Sequence, residues 1–257
     1  SGPAQQTSAA NAGVIAPGYV APFASPGAAR KAFINLFQED RAFSWAPSAS
    51  ASQWHWLLRW LSQGKQTKYE RNRASMFALA TYSQACLHEV ANRLGLSYRS
   101  VAAYHVVFRT QEDFERSQSL RQQLKNAGLV HRVLSRDELF AFEPSLRDAR
   151  LPIEAALQVQ GDEAGDCRAF VIKLWDQLIA GGTHWLGSTA VTSVSAKSSS
   201  LSECVLADGR KLSARHLILA AGPWSLTLLK ELKPRLPIYP IRGFSLTWDD
   251  ASIPQSI

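Results

Sequence analysis

RHLILAAGPWS, residues 215–225, is the stretch whose reading decides the fold. Leu217-Ile218-Leu219 is a short run of β-formers. It closes on Ala220-Ala221-Gly222-Pro223 and a helix start at Trp224-Ser225, the pattern of a buried parallel strand delivering a tight glycine turn. Side chains no larger than a methyl at the carboxyl end of such a strand admit either a ligand or a neighbouring backbone. Both readings stay open on these residues alone. Just upstream, Cys204–Ala207 and Arg210–Leu212 flank Asp208-Gly209, the short-range signal of a two-residue hairpin. The order is therefore hairpin, strand, Ala-Gly turn, helix.

That order resembles the FAD-dependent amine and amino-acid oxidoreductases of the D-amino-acid oxidase type. In those proteins an Asp-Gly hairpin leads into a strand ending in Ala-x-Gly beside the flavin nucleotide. The resemblance implies cofactor contacts at Ala221, Gly222 and Trp224. A second stretch narrows it. Thr7-Ser8-Ala9-Ala10-Asn11-Ala12-Gly13, with Pro17-Gly18-Tyr19 and Ala21-Pro22, resembles the loop of the bacterial D-amino-acid dehydrogenase family that passes the flavin. By itself the segment is a cluster of small and turn-forming residues that builds no core and can lie flat against something large. A plain terminal loop is the alternative. The resemblance implies cofactor contacts at Ser8, Ala9, Ala10, Asn11, Ala12 and Gly13.

The same family opens with a strand, a G-x-G-x-x-G turn and a helix whose N-terminus cradles the pyrophosphate. No G-x-G-x-x-G occurs here. A βαβ unit of about 30 residues is therefore expected ahead of Ser1, and the family continues past Ile257, so the chain reads as an internal fragment. The carboxylate-binding arginine and tyrosine implied by the resemblance would lie beyond Ile257, and no catalytic residue is assigned. Taken alone, the fragment is expected to be inactive.

Bulk composition agrees with a globular protein. The chain has 257 residues, 46% of them hydrophobic, enough for one large or two ordinary domains. No run of about 18 apolar residues is present. The net charge of +7 and a sequence pI near 9.5 permit anionic partners. The basic residues are scattered, without a nucleic-acid signature, so no nucleic-acid partner is expected. Cys86, Cys167 and Cys204 are far apart and odd in number, which fits neither a disulfide framework nor a zinc site, and no metal is expected. Neither G-x-S-x-G, P-loop nor H-E-x-x-H occurs.

Along the chain, helical spacing covers 28–38 and 51–63, the latter with Trp54, Leu57, Leu58 and Leu61 on one face and Trp56 and Trp60 on a neighbouring stripe. Core packing is the common use of such tryptophans, with a membrane or quinone surface as the alternative. A long helix over 67–94 presents Met76, Leu79, Ala80, Ser83, Leu87, Val90 and Leu94, with Gly95 as its C-cap. Tyr104–Phe108 reads as a strand, Thr110 and Asp113 cap a helix to about Asn126, and Val130–Leu134 is a second strand. Ser135 with Glu138 caps a short helix stopped before Pro144. Ala102-Ala103 departs from the Gly-Gly pair of the bacterial dehydrogenases. His105 reads as a packed or surface histidine rather than a catalyst.

Ala155–Val159 is a strand leading into Gly161-Asp162-Glu163-Ala164-Gly165-Asp166-Cys167, whose carboxylates match no calcium loop; Asp166 is the N-cap of a helix over 167–180 with Phe170, Leu174 and Leu178 as its stripe. Gly165-Asp166-Cys167 also resembles the Gly-Asp-Cys segment where the family's chain re-enters the flavin domain. Strands follow over 184–186 and 190–196, and the resemblance places Val191 against the adenine. After the Ala-Gly turn a helix is expected to about Leu232. Pro240-Ile241-Arg242-Gly243-Phe244-Ser245-Leu246-Thr247 resembles the strand that returns to the substrate domain near the flavin ring. It implies a cofactor contact at Gly243. Arg242 is read either as a partner for an anionic flavin or carboxylate or as a solvated edge residue.

The expected fold is α/β plus α+β: an incomplete Rossmann-like FAD-binding domain, 1–30 and 160–235, interleaved with an incomplete mixed-sheet substrate domain, 31–159 and 236–257. The implied activity is FAD-dependent oxidative deamination of D-amino acids to 2-oxo acids and ammonia, with electrons passing to a quinone-like acceptor. An oxygen-using glycine, sarcosine or D-amino-acid oxidase is the alternative within the class. A fragment unable to hold FAD is the alternative outside it. The implied location is the cytoplasm, with peripheral association at the inner face of the bacterial inner membrane as a variant.

Overall fold

The computed structural model describes residues 2–28, 30, 50–148, 152–198, 201–229, 238–241 and 243. They fall into two units, one of Pro3–Ser25 with Gln66–Gly182, the other drawn from Pro26–Lys65 and Thr183–Gly243.

The first unit is organised on a three-stranded antiparallel sheet in the order β3, β5, β4, with β3 at His105–Phe108, β4 at His131–Ser135 and β5 at Ala155–Val159. The central strand pairs Leu157 with Val106 on one side and Val133 on the other, and Ala156 with Val107 and Leu134. Because side chains alternate across a strand, these two rows face opposite ways. On one face Leu157, Phe108, Ala155 and Val159 pack with Leu124; on the other Ala156 and Leu134 pack with Leu139, Phe140 and Leu146. β5 is thus enclosed on both faces, which is why it reads as a continuous apolar run.

The covering helices begin where their caps dictate. Thr110 accepts the Asp113 N–H (3.1 Å) at the start of α3, Gln111–Arg116. Ser135 and Glu138 form a reciprocal capping box at the start of α5, Arg136–Phe142. The single helix expected to Asn126 is instead two. Ser117 separates α3 from α4, Gln118–Asn126, and its hydroxyl donates to the Phe114 carbonyl at 2.5 Å, competing with the helical ladder. Gly128, at φ +70°, ends the pair.

The long helix α2 runs over Gln66–Leu94 and closes on Gly95 at φ +60°, with Leu96 N–H reaching back to the Ala91 carbonyl. Its expected stripe is only partly turned inward. Leu79 is 68% exposed and Ser83 is also exposed, while Phe77 and Gln84 are half-buried in their place. Helix α6, Cys167–Ala180, is capped by Asp166, whose Oδ1 accepts the Ala169 N–H at 2.8 Å. Leu178, expected on its apolar stripe, is exposed; Phe170 packs edge-on against Tyr98 with ring centroids 5.2 Å apart. A second small antiparallel sheet places β6, Glu163–Gly165, between β1, Val14–Ile15, and β2, Ser100–Val101.

In the second unit, α1 spans Ala51–Gln63 as expected, but the inward face differs. Gln53 is buried and donates to the Tyr239 hydroxyl at 3.0 Å. Trp56 lies 5.3 Å from the Tyr239 ring and 6.4 Å from Trp60, and Trp54, Leu58 and Leu61 are exposed. Aromatic contact of Trp56 with Tyr239 and an amide that satisfies the phenol outcompete the Trp54, Leu58 and Leu61 stripe.

The unit's sheet is an antiparallel meander: β7, Val191–Ser198, β8, Leu201–Leu206, and β9, Lys211–Ala214. The Asp208-Gly209 hairpin forms, with a three-residue loop rather than two. Gly209 N–H closes a turn on the Leu206 carbonyl, Leu206 N–H then bonds the Arg210 carbonyl, and Gly209 takes φ +87°.

Two expected strands are absent. Residues 184–186 lie outside any ladder, with Trp185 and Leu186 exposed. So does Leu217–Leu219, where Ile218 is 91% exposed. None of the described strands pairs with either segment, and a strand exists only through its ladder. The Ala-Gly turn continues as a 3-10 turn over Gly222–Trp224 and a short helix α7, Ser225–Leu228. The helix expected over 28–38, the continuation of α7 to Leu232, and Arg242 with the strand beyond Gly243 lie outside the described residues, apart from Ala28, Arg30 and the first turn of α7.

Candidate cofactor site

The small-residue segment has a defined conformation. Thr7–Ala9 forms a 3-10 turn beside α6, and Asn11 folds back, its amide donating to the Thr7 and Ser8 carbonyls at 3.4 Å each. The Asn11 Oδ1 accepts the Gly13 N–H at 2.8 Å, an Asx turn that holds Ala12 at the tip. Gly13 sits at φ +65°, and its carbonyl accepts the Gly165 N–H at 2.8 Å. A side chain there would place Cβ 2.2 Å from the Gly165 carbonyl oxygen. The glycine is therefore required by the contact with β6. Ala9, Ala10, Asn11 and Ala12 remain exposed and Ser8 half-buried, so the outer side of the turn offers small side chains and backbone.

Beyond β1 the chain makes a second turn at Pro17–Tyr19, and here a residue the sequence reading weighed only as a metal ligand becomes important. Asp162 is 3% exposed, and its Oδ1 accepts the Gly18 N–H at 2.9 Å across 144 residues of sequence. Its Oδ2 is buried without a hydrogen-bond partner. Gly18 is equally closed in: a Cβ would meet Val159 Cγ1 at 2.6 Å and Asp162 Oδ2 at 3.0 Å. Burial pushes the Asp162 carboxyl up to about 6, the Gly18 bond pulls it down, and the neighbouring Glu163 raises it. Tyr19 and Tyr104 pack edge-on at 5.7 Å, and the Tyr104 phenol is raised by burial, by Tyr19 and by Asp162. Glu163 accepts from His88 Nε2 and Gln84 Nε2 of α2, each at 2.7 Å. An aspartate in a glycine-flanked loop directly after a fully enclosed strand was the available signal. Its partner, however, is too distant in sequence to be named from pattern.

His105 is the packed histidine expected. It is 2% exposed, its ring lies tilted 5.3 Å from Phe142, and its Nε2 meets the Gln158 amide at 3.0 Å. Burial lowers its basicity, Glu143 opposes this and Arg132 adds to it.

The remaining expected cofactor residues lie in the other unit. Val191 opens β7, faces Leu206 across the ladder and is exposed. Ala221 precedes Gly222, which takes φ +52° with nothing among the described residues within 4 Å of where a Cβ would stand; Trp224 is exposed, and a Cβ at Gly243 likewise meets nothing among the described residues. Ser8 to Gly13 thus belong to one unit and Val191, Ala221, Gly222, Trp224 and Gly243 to the other. The first presents small side chains, the second small residues beside the exposed Trp224 ring.

Comparison with known proteins supplies the remaining observation. A family model described as FAD dependent oxidoreductase (DAO) matches residues 1–256. A curated D-amino acid dehydrogenase of Rhizobium johnstonii is 34% identical over 247 residues, 96% of this chain and 59% of that protein. One from Granulibacter bethesdensis is 32% identical over the same spans. The chain therefore covers about three-fifths of the length of these relatives. Among solved structures, glycine oxidase from Geobacillus kaustophilus superposes with a TM-score of 0.52 at 20% identity, over 61% of this chain and 42% of that one. This last likeness is one of fold.

Proposed function

The chain belongs to the FAD dependent oxidoreductase (DAO) family, and on that premise we propose that the whole protein is a D-amino-acid dehydrogenase. In this reading it converts D-amino acids to 2-oxo acids and ammonia and hands the electrons to a quinone-like acceptor. The observation that carries the reading is the 34% identity to a D-amino acid dehydrogenase sustained over 96% of the chain. Bound FAD supplies the hydride-accepting chemistry; the chain's own residues bind and orient.

Ser8, Ala9, Ala10, Asn11, Ala12 and Gly13, with Val191, Ala221, Gly222, Trp224 and Gly243, are the residues assigned to hold the cofactor. What supports them is the fit of their surfaces: small side chains around a rigid Asx turn, and a positive-φ glycine with open space beside it. We assign 1–30 and 160–235 to the FAD-binding domain and 31–159 and 236–257 to the substrate domain. The Gly13–Gly165 contact supports joining the first two of these segments. Peripheral association with the inner membrane belongs to the proposal; no helix among the described residues is long and apolar enough to cross one.

The test is anaerobic reduction of the FAD-loaded whole protein. Bleaching of the flavin bands by D- but not L-amino acids, with 2-oxo acid formed and a quinone analogue reoxidising the enzyme, is the expected result. Rapid reoxidation by oxygen with peroxide release would replace the dehydrogenase reading with an oxidase. Failure of any D-amino acid to bleach a bound flavin would end the D-amino-acid assignment.

A further inference from the structure

We propose that Asp162 is a positioning residue for the cofactor segment: closed over Gly18, its carboxyl latches the Pro17–Tyr19 turn, and through β1 the Ser8–Gly13 turn, onto the body of the first unit in a proton-dependent way. The inference rests on the assignment of Ser8–Gly13 to the cofactor. Its geometry stands without that assignment.

Three observations carry it. The Gly18 N–H is bonded to Asp162 Oδ1 at 2.9 Å, and a Cβ at this position would force Val159 and Asp162 to shift. The second carboxyl oxygen is buried with no hydrogen-bond partner, so the ionised group is left with one oxygen uncompensated. The latched turn directly follows β1, which pairs with β6, the strand that begins one residue after Asp162. One carboxyl therefore ties both ends of a small closed circuit.

The groups that face Asp162 make its protonation state matter. From the segment ahead of β3 comes Tyr104, which packs against Tyr19 of the turn, and from β6 comes Glu163, itself engaged by His88 and Gln84 of α2. Among the described residues no lysine, arginine or histidine pairs with Asp162. Released into water, the carboxyl ionises near its ordinary value of 3.8; latched, it holds its proton up to about 6. By linkage the latched state binds the proton more tightly and is tightest in acid, loosening as pH rises between these values and levelling above them.

The experiment is amide hydrogen exchange of Gly18 in the flavin-free full chain, corrected for the intrinsic pH dependence of exchange. Protection is expected to fall roughly fiftyfold from pH 4 to pH 7 and then level. Asp162→Asn, which keeps an acceptor for Gly18 and cannot ionise, is expected to flatten the profile at or above the wild-type acid value. Asp162→Ala should lose protection at every pH; if it does not fold, the asparagine variant decides alone. A flat wild-type profile, or an asparagine variant that keeps the wild-type slope, overturns the latch. FAD affinity measured by flavin fluorescence at pH 5 and 7.5 then separates the two layers. Affinity that weakens with pH in the wild type and not in Asp162→Asn supports the positioning role, and affinity indifferent to both overturns that role. Absence of FAD binding in every variant, with the exchange profile as expected, overturns the cofactor assignment and leaves the latch standing.

Discussion

The sheet of β3, β5 and β4 and the hairpin segment from β8 to Gly222 contain similar runs of β-forming residues and end up in opposite situations. In the sheet, β5 has a partner on each edge and helices on each face, and Leu157 is 1% exposed. In the hairpin segment, β8 and β9 pair through a tight local loop, but the apolar Leu217–Leu219 that follows joins no ladder, and Ile218 is 91% exposed. An apolar triplet states that a segment can be buried; only neighbours supply the pairing and the cover.

Truncation sharpens this contrast most. Leu157→Ala should destabilise the first unit by about 2–5 kcal/mol in urea unfolding, because it opens a cavity between helix and sheet. A change under about 0.5 kcal/mol, the magnitude for surface substitutions, would mean that the enclosed strand is not a core. Gly13→Ala tests the other kind of long-range contact. With φ +65° and a Cβ 2.2 Å from the Gly165 oxygen, it should lose about 2–4 kcal/mol, whereas Gly209→Ala, with open space around it, should lose only about 1–2 kcal/mol for its left-handed conformation.

Next comes pH. The folded state holds the Asp162 proton to about 6 and the unfolded chain releases it near 3.8. This group's contribution to stability is therefore full in acid and declines by about 3 kcal/mol as pH rises through that window. Asp162→Asn should remove the decline, read from denaturation midpoints at pH 4 and pH 7. Ser135→Ala, which breaks the capping box of α5, should lose about 1 kcal/mol. Ile218→Ala should move the midpoint least, by under about 0.5 kcal/mol; a loss matching that of Leu157→Ala would erase the distinction between the two regions.

What was legible in the sequence follows the same division. Signals acting within four residues came through at Ser135 with Glu138, at Asp166, at Gly95 and at Asp208-Gly209, because each satisfies its own backbone groups locally. Orientation was less legible. A helical wheel of α1 ranks aliphatic residues together, yet the pairing of Gln53 and Trp56 with Tyr239 turned the helix to another face. The break at Ser117 depends on where one hydroxyl proton goes. Of the candidate site, the wording of 7–13 pointed to a family, and Asn11 and Gly13 explain it by a turn that must approach Gly165. The loop carboxylate at Asp162 is legible as a polar residue, but not its bond to Gly18, which lies 144 residues away.

The proposed FAD contacts are residues 8–13 in one unit and Val191, Ala221, Gly222, Trp224 and Gly243 in the other. Hydrogen exchange of the whole protein with and without FAD, read residue by residue, tests this assignment most directly. Slowed exchange is expected at the amides of 8–13, 191, 221, 222, 224 and 243 on flavin binding, with the β5 core unchanged. Flavin bound tightly while those amides exchange as before would contradict it.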